Sequence, residues 1–397
     1  MATRIVIRFL TSGESHGPEL MVVVEGLPAG VPVDVEAIDR DLARRQGGYG
    51  RGARSTKIER DRVEVTGGLV AGSTTGAPIG LRIANRDFAN QPAQPVPLTT
   101  PRPGHADLAG RMKFGIQDFR LIRERASARE TAARVAAGAV AKQLLRSFGG
   151  IVGSFVSEIG GVRAWDGPAR SDAVDPASLD ILDAEGLQGL AEAAEGDPVR
   201  CPVPEASALM CKAIDAARAA GDTLGGAFVV FATGVPPGLG SYTHWDRRLD
   251  GRISQAICSI PAIKGVEIGP AFRLAGLAGS EAQDAIVRRE GRIARPTNRA
   301  GGLEGGVTNG EPIVARGAMK PLSSVRVAVE SIDFDSGRPS DAPYVRSDVC
   351  SVPAAGVVGE GMLAWVLADA LVERFGADRL DAMLGAWAAV RDADGPP

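Results

Sequence analysis

Residues 103–145 read PGHADLAGRMKFGIQDFRLIRERASARETAARVAAGAVAKQLL, and the second half of this stretch decides the fold. Ser127 followed three residues later by Glu130 is a capping-box pattern, and neither Pro nor Gly occurs in the next seven positions, which predicts a helix over about 128–145. Its residues are small. Ala132, Ala133, Ala136, Ala137, Gly138, Ala139 and Ala141 leave little bulk, so neighbouring backbones can approach closely and the helix reads as central and sandwiched. Gly138 costs about 1 kcal/mol against Ala inside a helix, a cost that close packing can recover. Arg120, Arg123 and Arg125 precede the cap, with His105 upstream. A helix N-terminus, three guanidinium groups and an imidazole make an anion site; the plainer alternative is an Ala-rich core helix with a solvated basic entrance. The segment alone leaves both open.

Working outward, residues 4–11 read as a buried strand ending in Ser12-Gly13-Glu14-Ser15-His16-Gly17, and Met21–Val24 as a second. Asp34 caps a helix over about 35–45 that Gly47-Gly48 ends. The next loop, 48–55, is flexible and basic. Such a loop is either solvated or wraps phosphate and carboxylate groups. Residues 63–66 and 79–84 read as strands. An internal repeat relates GGLVAGSTTGAPI at 67–79 to GGLEGGVTNGEPI at 301–313. A fainter echo pairs FLTSG at 9–13 and PAGV at 28–31 with VFATG at 230–234 and PPGL at 236–239. The expected organisation is a single domain of two related halves, about 1–110 and 225–345. Residues 111–224 supply the central helix and a connection, and 346–391 a C-terminal loop and helix. Less informative stretches read as an irregular connection (86–101), a strand (151–159), helices (187–195, 205–219 and 250–257) and a strand (225–231). A mobile excursion (281–292), a strand (325–329), an amphipathic helix (361–375) and a frayed end (392–397) complete the chain.

A chain of 397 residues with 44% hydrophobic and 23% charged residues is ordinary for a globular protein with a sizeable core. The net charge of −3 and the 5% aromatic content argue against a general nucleic-acid binder. Four cysteines show neither metal-ligand spacing nor a small-domain disulfide framework, so free thiols in a reducing cytoplasm are expected. The N-terminus lacks a signal-peptide core, and no apolar run reaches the roughly 20 residues of a membrane helix.

Three histidines bound the acid–base chemistry. His16 and His105 sit among small residues after strand or turn signals, a setting that fits either a ligand-facing side chain or an ordinary loop histidine; His244 reads as structural. No GxGxxG follows a strand, no P-loop is present, and two histidines without spaced partners make no metal site. Asp348, beside an arginine, fits a local salt bridge or Asx turn as well as a catalytic carboxylate. Lys320-Pro321-Leu322-Ser323-Ser324 sets a cation and two hydroxyls in a turn.

Taken in order, GESHG (13–17), RRQGGYGRG (44–52), RPGHAD (102–107), SARETAARVAAG (127–138), GRISQAICSIPAIKGVEIG (251–269), AGGLEGGVTNG (300–310), KPLSS (320–324) and RSDVC (346–350) resemble the motif set of the chorismate synthases over nearly the whole chain. That resemblance implies an α+β fold, a β-α-β sandwich of pseudo-symmetric halves around central small-residue helices, assembled as a homotetramer; the charge, aromatic content and apolar runs above lead us to expect no nucleic-acid or membrane partner. It implies a 1,4-anti elimination of phosphate from 5-enolpyruvylshikimate 3-phosphate to give chorismate, with no net redox change but with reduced FMN required. The rivals are a flavin-dependent oxidoreductase and a catalytically silent oligomeric binding protein.

By motif, His16 resembles the histidine that holds or protonates the reduced flavin. His105 resembles the general acid near the leaving phosphate, and Asp348 the carboxylate near flavin N5. Arg125, Ala126, Ser127, Gln255, Ala256, Gly305, residues 320–324 and Arg346 resemble the flavin shell. Arg45 and Arg51 correspond to NADPH contacts or hold substrate, and Arg54 and Arg129 complete the substrate cations. Ser127 faces competing duties, capping the helix and bonding the cofactor. Many members carry a Gly-rich, Ser-rich run where this chain has Leu121-Ile122-Arg123-Glu124-Arg125-Ala126, which changes the local contacts. No segment large enough for a flavin reductase is present, so reduced FMN is expected from an external NADPH-dependent reductase.

Overall fold

The structure, a computed structural model, describes residues 7–92, 95–165, 179, 182–289, 292–345 and 347–393. The expected strand start at residues 4–6, the end of the chain from 394 and Arg346 lie outside the described residues. Strands β1 (Arg8–Ser12) and β2 (Glu19–Glu25) pair antiparallel. β2 buries Leu20, Val22 and Val24 and exposes Met21 and Val23, the alternation of a sheet with one free face. Helix α1 (Val35–Gln46) starts where Asp34 accepts a hydrogen bond from the Glu36 amide. β3 (Glu64–Gly67), the short hairpin β4 (Leu69–Val70) and β5 (Ser73–Thr74), and β6 (Ile79–Ala84) follow, and the first sheet runs β1-β2-β6-β3.

The 103–145 stretch forms α2 (Asp107–Phe114), α3 (Phe119–Arg125), a 3₁₀ turn at Ala128–Glu130 and α4 (Thr131–Ser147). Only half of the capping box is made. Ser127 accepts the Arg129 amide, but the Glu130 carboxylate turns to Thr11 Oγ1 and Arg134 Nε, so the first turn tightens and the α-helix starts at Thr131.

The chain then builds β7 (Ile151–Ile159), β8 (Val162–Arg163), α5 (Ala184–Glu195), α6 (Pro204–Ala220), β9 (Gly226–Thr233), α7 (Leu249–Cys258) and β10 (Ile263–Ile268). The expected excursion is made of two short helices, α8 (Ala271–Leu274) and α9 (Gly279–Ala282), and a hairpin, β11 (Val287–Arg289) and β12 (Arg292–Ala294). β13 (Leu303–Glu304), β14 (Val307–Thr308) and β15 (Ile313–Met319) lead to β16 (Glu330–Ile332) and β17 (Pro339–Asp341). The strand expected at 325–329 is not formed; the Arg326 amide bonds to Gly221 O instead, and pairing begins at Glu330.

The second sheet, β10-β15-β9-β7-β8, repeats the strand order of the first when β7, β9, β15 and β10 are set against β1, β2, β6 and β3. The likeness extends to single atoms. Thr74 Oγ1 donates to Pro28 O and accepts from the Val31 amide, while Thr308 Oγ1 donates to Pro236 O and accepts from the Leu239 amide. Because β7 belongs to this sheet, the structural repeat begins at Ile151 rather than near 225.

Between the sheets lie α1, α4, α7 and α10 (Val352–Phe375), with α4 on β2, α10 on β7 and β9, and α11 (Leu380–Ala393) outside. α4 and α10 touch backbone to backbone: a Cβ on Gly138 would stand 2.2 Å from Gly361 Cα. α10 is longer than the expected 361–375 helix and is buried nearly all round rather than amphipathic, because helices and a sheet cover it on every side. By length and composition α10 could cross a membrane, against the expectation that no apolar run is long enough, but 89% of its apolar window is buried inside the protein.

Candidate active site

A cavity of about 530 Å³ opens where loops from both halves meet the N-terminal ends of α4 and α10. Loop 13–17 brings Ser15 and His16, the end of α1 brings Arg45, and the next loop brings Arg51, Gly52 and Arg54. Loop 102–106 adds Arg102 and His105, and the 126–131 turn adds Ala126, Ser127 and Arg129. Lys320–Ser324, Asp348 and Ser351 close the wall. The loop expected to be flexible is pinned. Gly52 N donates to Asp348 Oδ1 at 2.6 Å and Val349 N to Gly50 O at 2.8 Å, and a side chain at Gly50 would meet Cys350 and Ile214.

Each cavity histidine is held by a carboxylate. His105 Nδ1 lies 2.5 Å from Asp107 Oδ1, and Arg102 clamps that same carboxylate through Nε at 3.0 Å while its Nη1 reaches Ser324 Oγ. Burial would raise the Asp107 pKa, but the bonds from His105 and Arg102 hold it well below the usual carboxylate value. His16 Nδ1 lies 2.9 Å from both oxygens of Glu124, and Arg54 Nη1 sits 3.2 Å from Nε2. Arg54 is itself held by Glu59 and by Ser15, to whose Oγ and carbonyl it donates.

The deeper wall is cationic. Arg129 Nη1 binds Asp61 at 2.7 Å and Arg45 Nη1 shares that carboxylate at 3.5 Å, while Arg51 Nη1 binds Asp348 at 2.5 Å. Burial, with Arg129 and Arg51 adding to it and Asp61 opposing, lowers the Arg45 pKa to about 9. Among the described residues, seven arginine and lysine side chains line the cavity against three carboxylates, Glu59, Glu124 and Asp348. Arg129 Nη2 and Arg51 Nε are buried with no hydrogen-bond acceptor among the described residues. Surplus positive charge with idle buried donors fits anionic ligands, including the phosphate of a flavin mononucleotide.

The cavity thus gathers His16, His105, Asp348, Arg45, Arg51, Arg54, Arg129, Ala126, Ser127 and Lys320–Ser324. Arg125, Gln255, Ala256 and Gly305 do not line it. Arg125 bonds Thr11 on the surface, Gln255 and Ala256 sit on α7, and Gly305 turns the β13–β14 hairpin beside Tyr242. Ser127 Oγ is committed within the protein, accepting from Arg129 N and donating to Ser15 Oγ. His244 is exposed and pairs with Asp246. The carboxylates Glu124 and Asp107 and the clamp Arg102 were not singled out from sequence. Arg102 and Asp107 lay within a quoted motif, but Glu124 lay within the run that departs from the pattern.

Among known proteins, the family model described as chorismate synthase matches residues 7–372. The chorismate synthase of Rubrobacter xylanophilus is 54% identical over 382 residues, covering 94% of this chain and 93% of that protein. That of Symbiobacterium thermophilum is 51% identical, covering 95% and 97%. A solved structure, a crystal structure of chorismate synthase, superposes with a TM-score of 0.78 at 41% identity and covers 98% of both chains.

Proposed function

Since this chain belongs to the chorismate synthase family and carries its FMN-dependent elimination of phosphate to form chorismate, we propose that the cavity at the N-terminal ends of α4 and α10 is where that reaction occurs. The observation that carries this assignment is the meeting of two carboxylate-held histidines and Asp348 inside one cationic wall. The substrate brings a phosphate and two carboxylates, which the idle donors of Arg129 and Arg51 and the cation of Arg45 receive. His105, whose Nδ1 is occupied by Asp107, has Nε2 left to donate a proton to the departing phosphate as general acid. Asp348 accepts from Gly52 N, Arg51 and Ser351, which keeps it an acceptor at the cavity wall. The bound flavin, in its reduced form, supplies the electron-rich chemistry that the side chains lack. His16 and Lys320–Ser324, which line the cavity, would hold it.

The finer reading has NADPH supplying the reductant through a separate reductase, a cytoplasmic location and a homotetramer. The apolar residues Leu10, Met21 and Val23 on the open face of the first sheet support the association of copies. The deciding experiment is an anaerobic assay of chorismate formation by the purified protein with chemically reduced FMN. Chorismate in the absence of NADPH is expected; steady NADPH oxidation without the phosphorylated substrate would favour an oxidoreductase instead. Light scattering of the purified protein reads the assembly, and a monomer would rule the tetramer out.

A further inference from the structure

The last turn of a helix is the unfavourable end for a carboxylate, because the helix dipole places negative charge there. Glu124 nonetheless occupies the last turn of α3 and is largely buried. Among the described residues its carboxylate forms no ion pair with Arg123 or Arg125, the arginines beside it in sequence. Oε2 accepts the His16 backbone amide at 2.7 Å, both oxygens stand 2.9 Å from His16 Nδ1, and the Glu124 carbonyl accepts the Ser15 amide. An ionised carboxylate only accepts, so the ring must donate through Nδ1. On the other side of the imidazole, Nε2 meets Arg54 Nη1 at 3.2 Å and Asp87 Oδ2 at 4.0 Å. Arginine only donates, so Nε2 of the neutral ring offers its lone pair, and Asp87 stands near the added charge once Nε2 takes a proton.

We propose that Glu124 is the positioning residue of His16, holding the imidazole in its Nδ1–H tautomer so that Nε2 is the atom that exchanges a proton at the cavity. The assignment rests on the functional reading above for its catalytic consequence, while the tautomer itself is independent of it. Burial opposes the Glu124 charge, but the His16 bonds outweigh it and lower its pKa. The alternative role is a clamp on loop 13–17 through the two backbone amides, indifferent to the ring.

The chain has only three histidines, so the flavin-free protein labelled with ¹⁵N-histidine yields three imidazole spin systems. His16→Gln and His244→Gln assign them. In the wild type, neutral His16 is expected to carry its proton on Nδ1. Glu124→Gln replaces one acceptor oxygen with an amide donor, and the Nε2–H form should become populated. Chorismate turnover should then fall by about 10- to 100-fold in kcat with KM changed less than about twofold, because a misplaced proton affects the reacting state more than binding. The same substitution should add nothing in a His16→Gln background. Wild-type His16 protonated on Nε2 would overturn the proposal, as would a Glu124→Gln enzyme that loses turnover with the His16 tautomer unchanged. Should Glu124→Gln fail to fold, the wild-type tautomer decides alone. Absence of chorismate formation by the wild type would refute the functional reading and leave the tautomer result standing.

Discussion

At the scale of residues, the two cavity histidines hold their partners differently. Asp107 is two residues from His105 and is shared with Arg102, whereas Glu124 reaches His16 across 108 residues of sequence. Replacing either histidine by alanine is expected to lower the elimination rate by roughly 10²–10⁴, the range for a placed proton donor. The signatures should separate. His16→Ala should alter the absorbance of bound reduced flavin, while His105→Ala should leave it nearly unchanged and slow phosphate release in a single turnover. Identical spectra and kinetics in the two variants would refute the division of labour. The histidines and Asp348 were legible in the sequence because short motifs carry them. Glu124 was not, since a carboxylate within a basic run says nothing about which distant imidazole it meets.

Among the elements, the crossing of α4 and α10 is the feature that small residues most plainly dictated. Ala136 is fully buried beside it, and Ala136→Leu should cost roughly 1–3 kcal/mol by overpacking, read from the urea midpoint; a change within about 0.5 kcal/mol would show a loose interface. Gly138→Ala should also destabilise, because its new methyl would collide with Gly361 backbone. Gly189→Ala on α5, where nothing among the described residues lies within 4 Å, should instead stabilise by about 0.5–1 kcal/mol. A common sign for the two glycine variants would contradict the crossing. α4 was readable from its Ala spacing, although the Ser127 cap serves the 3₁₀ turn before it and the α-helix starts at Thr131. The front of α10 was not, because Gly356, Gly359 and Gly361 resemble loop residues until Phe228 and Gly138 are seen packed against them. The β4–β5 and β13–β14 hairpins were legible as a repeat, yet β7 carries no matching motif, and pairing to β9 alone reveals its place.

Across the whole molecule, Glu360 ties the layers together. Fully buried on α10, it accepts from Lys142 on α4, Arg44 on α1 and Ser154 on β7. Burial opposes its ionisation, but Lys142, Arg44 and Arg200 prevail and lower its pKa, as the partners of Asp107 and Glu124 do for theirs. Carboxylates depressed in the folded state add stability that is present above their unfolded values, about 4, and lost as pH falls through the folded ones. The urea midpoint should therefore hold level from about pH 6 to 8 and fall on acidification below about pH 4. A midpoint flat to pH 3 would exclude these carboxylates as the source. Glu360→Gln should cost about 3–5 kcal/mol at neutral pH, since it strands buried cations, and should flatten the acid limb.

The cationic opening set in a chain of net charge −3 also bears on how fast the site is found. A polyanion diffusing in from solution meets a slightly acidic molecule with a surplus of cations at this mouth, so the field there should select trajectories as well as ligands. Ions screen such guidance beyond about 8 Å at physiological strength. Added salt should then slow capture, lowering kcat/KM, while a single turnover of substrate already bound inside the sheltered cavity proceeds at an almost constant rate.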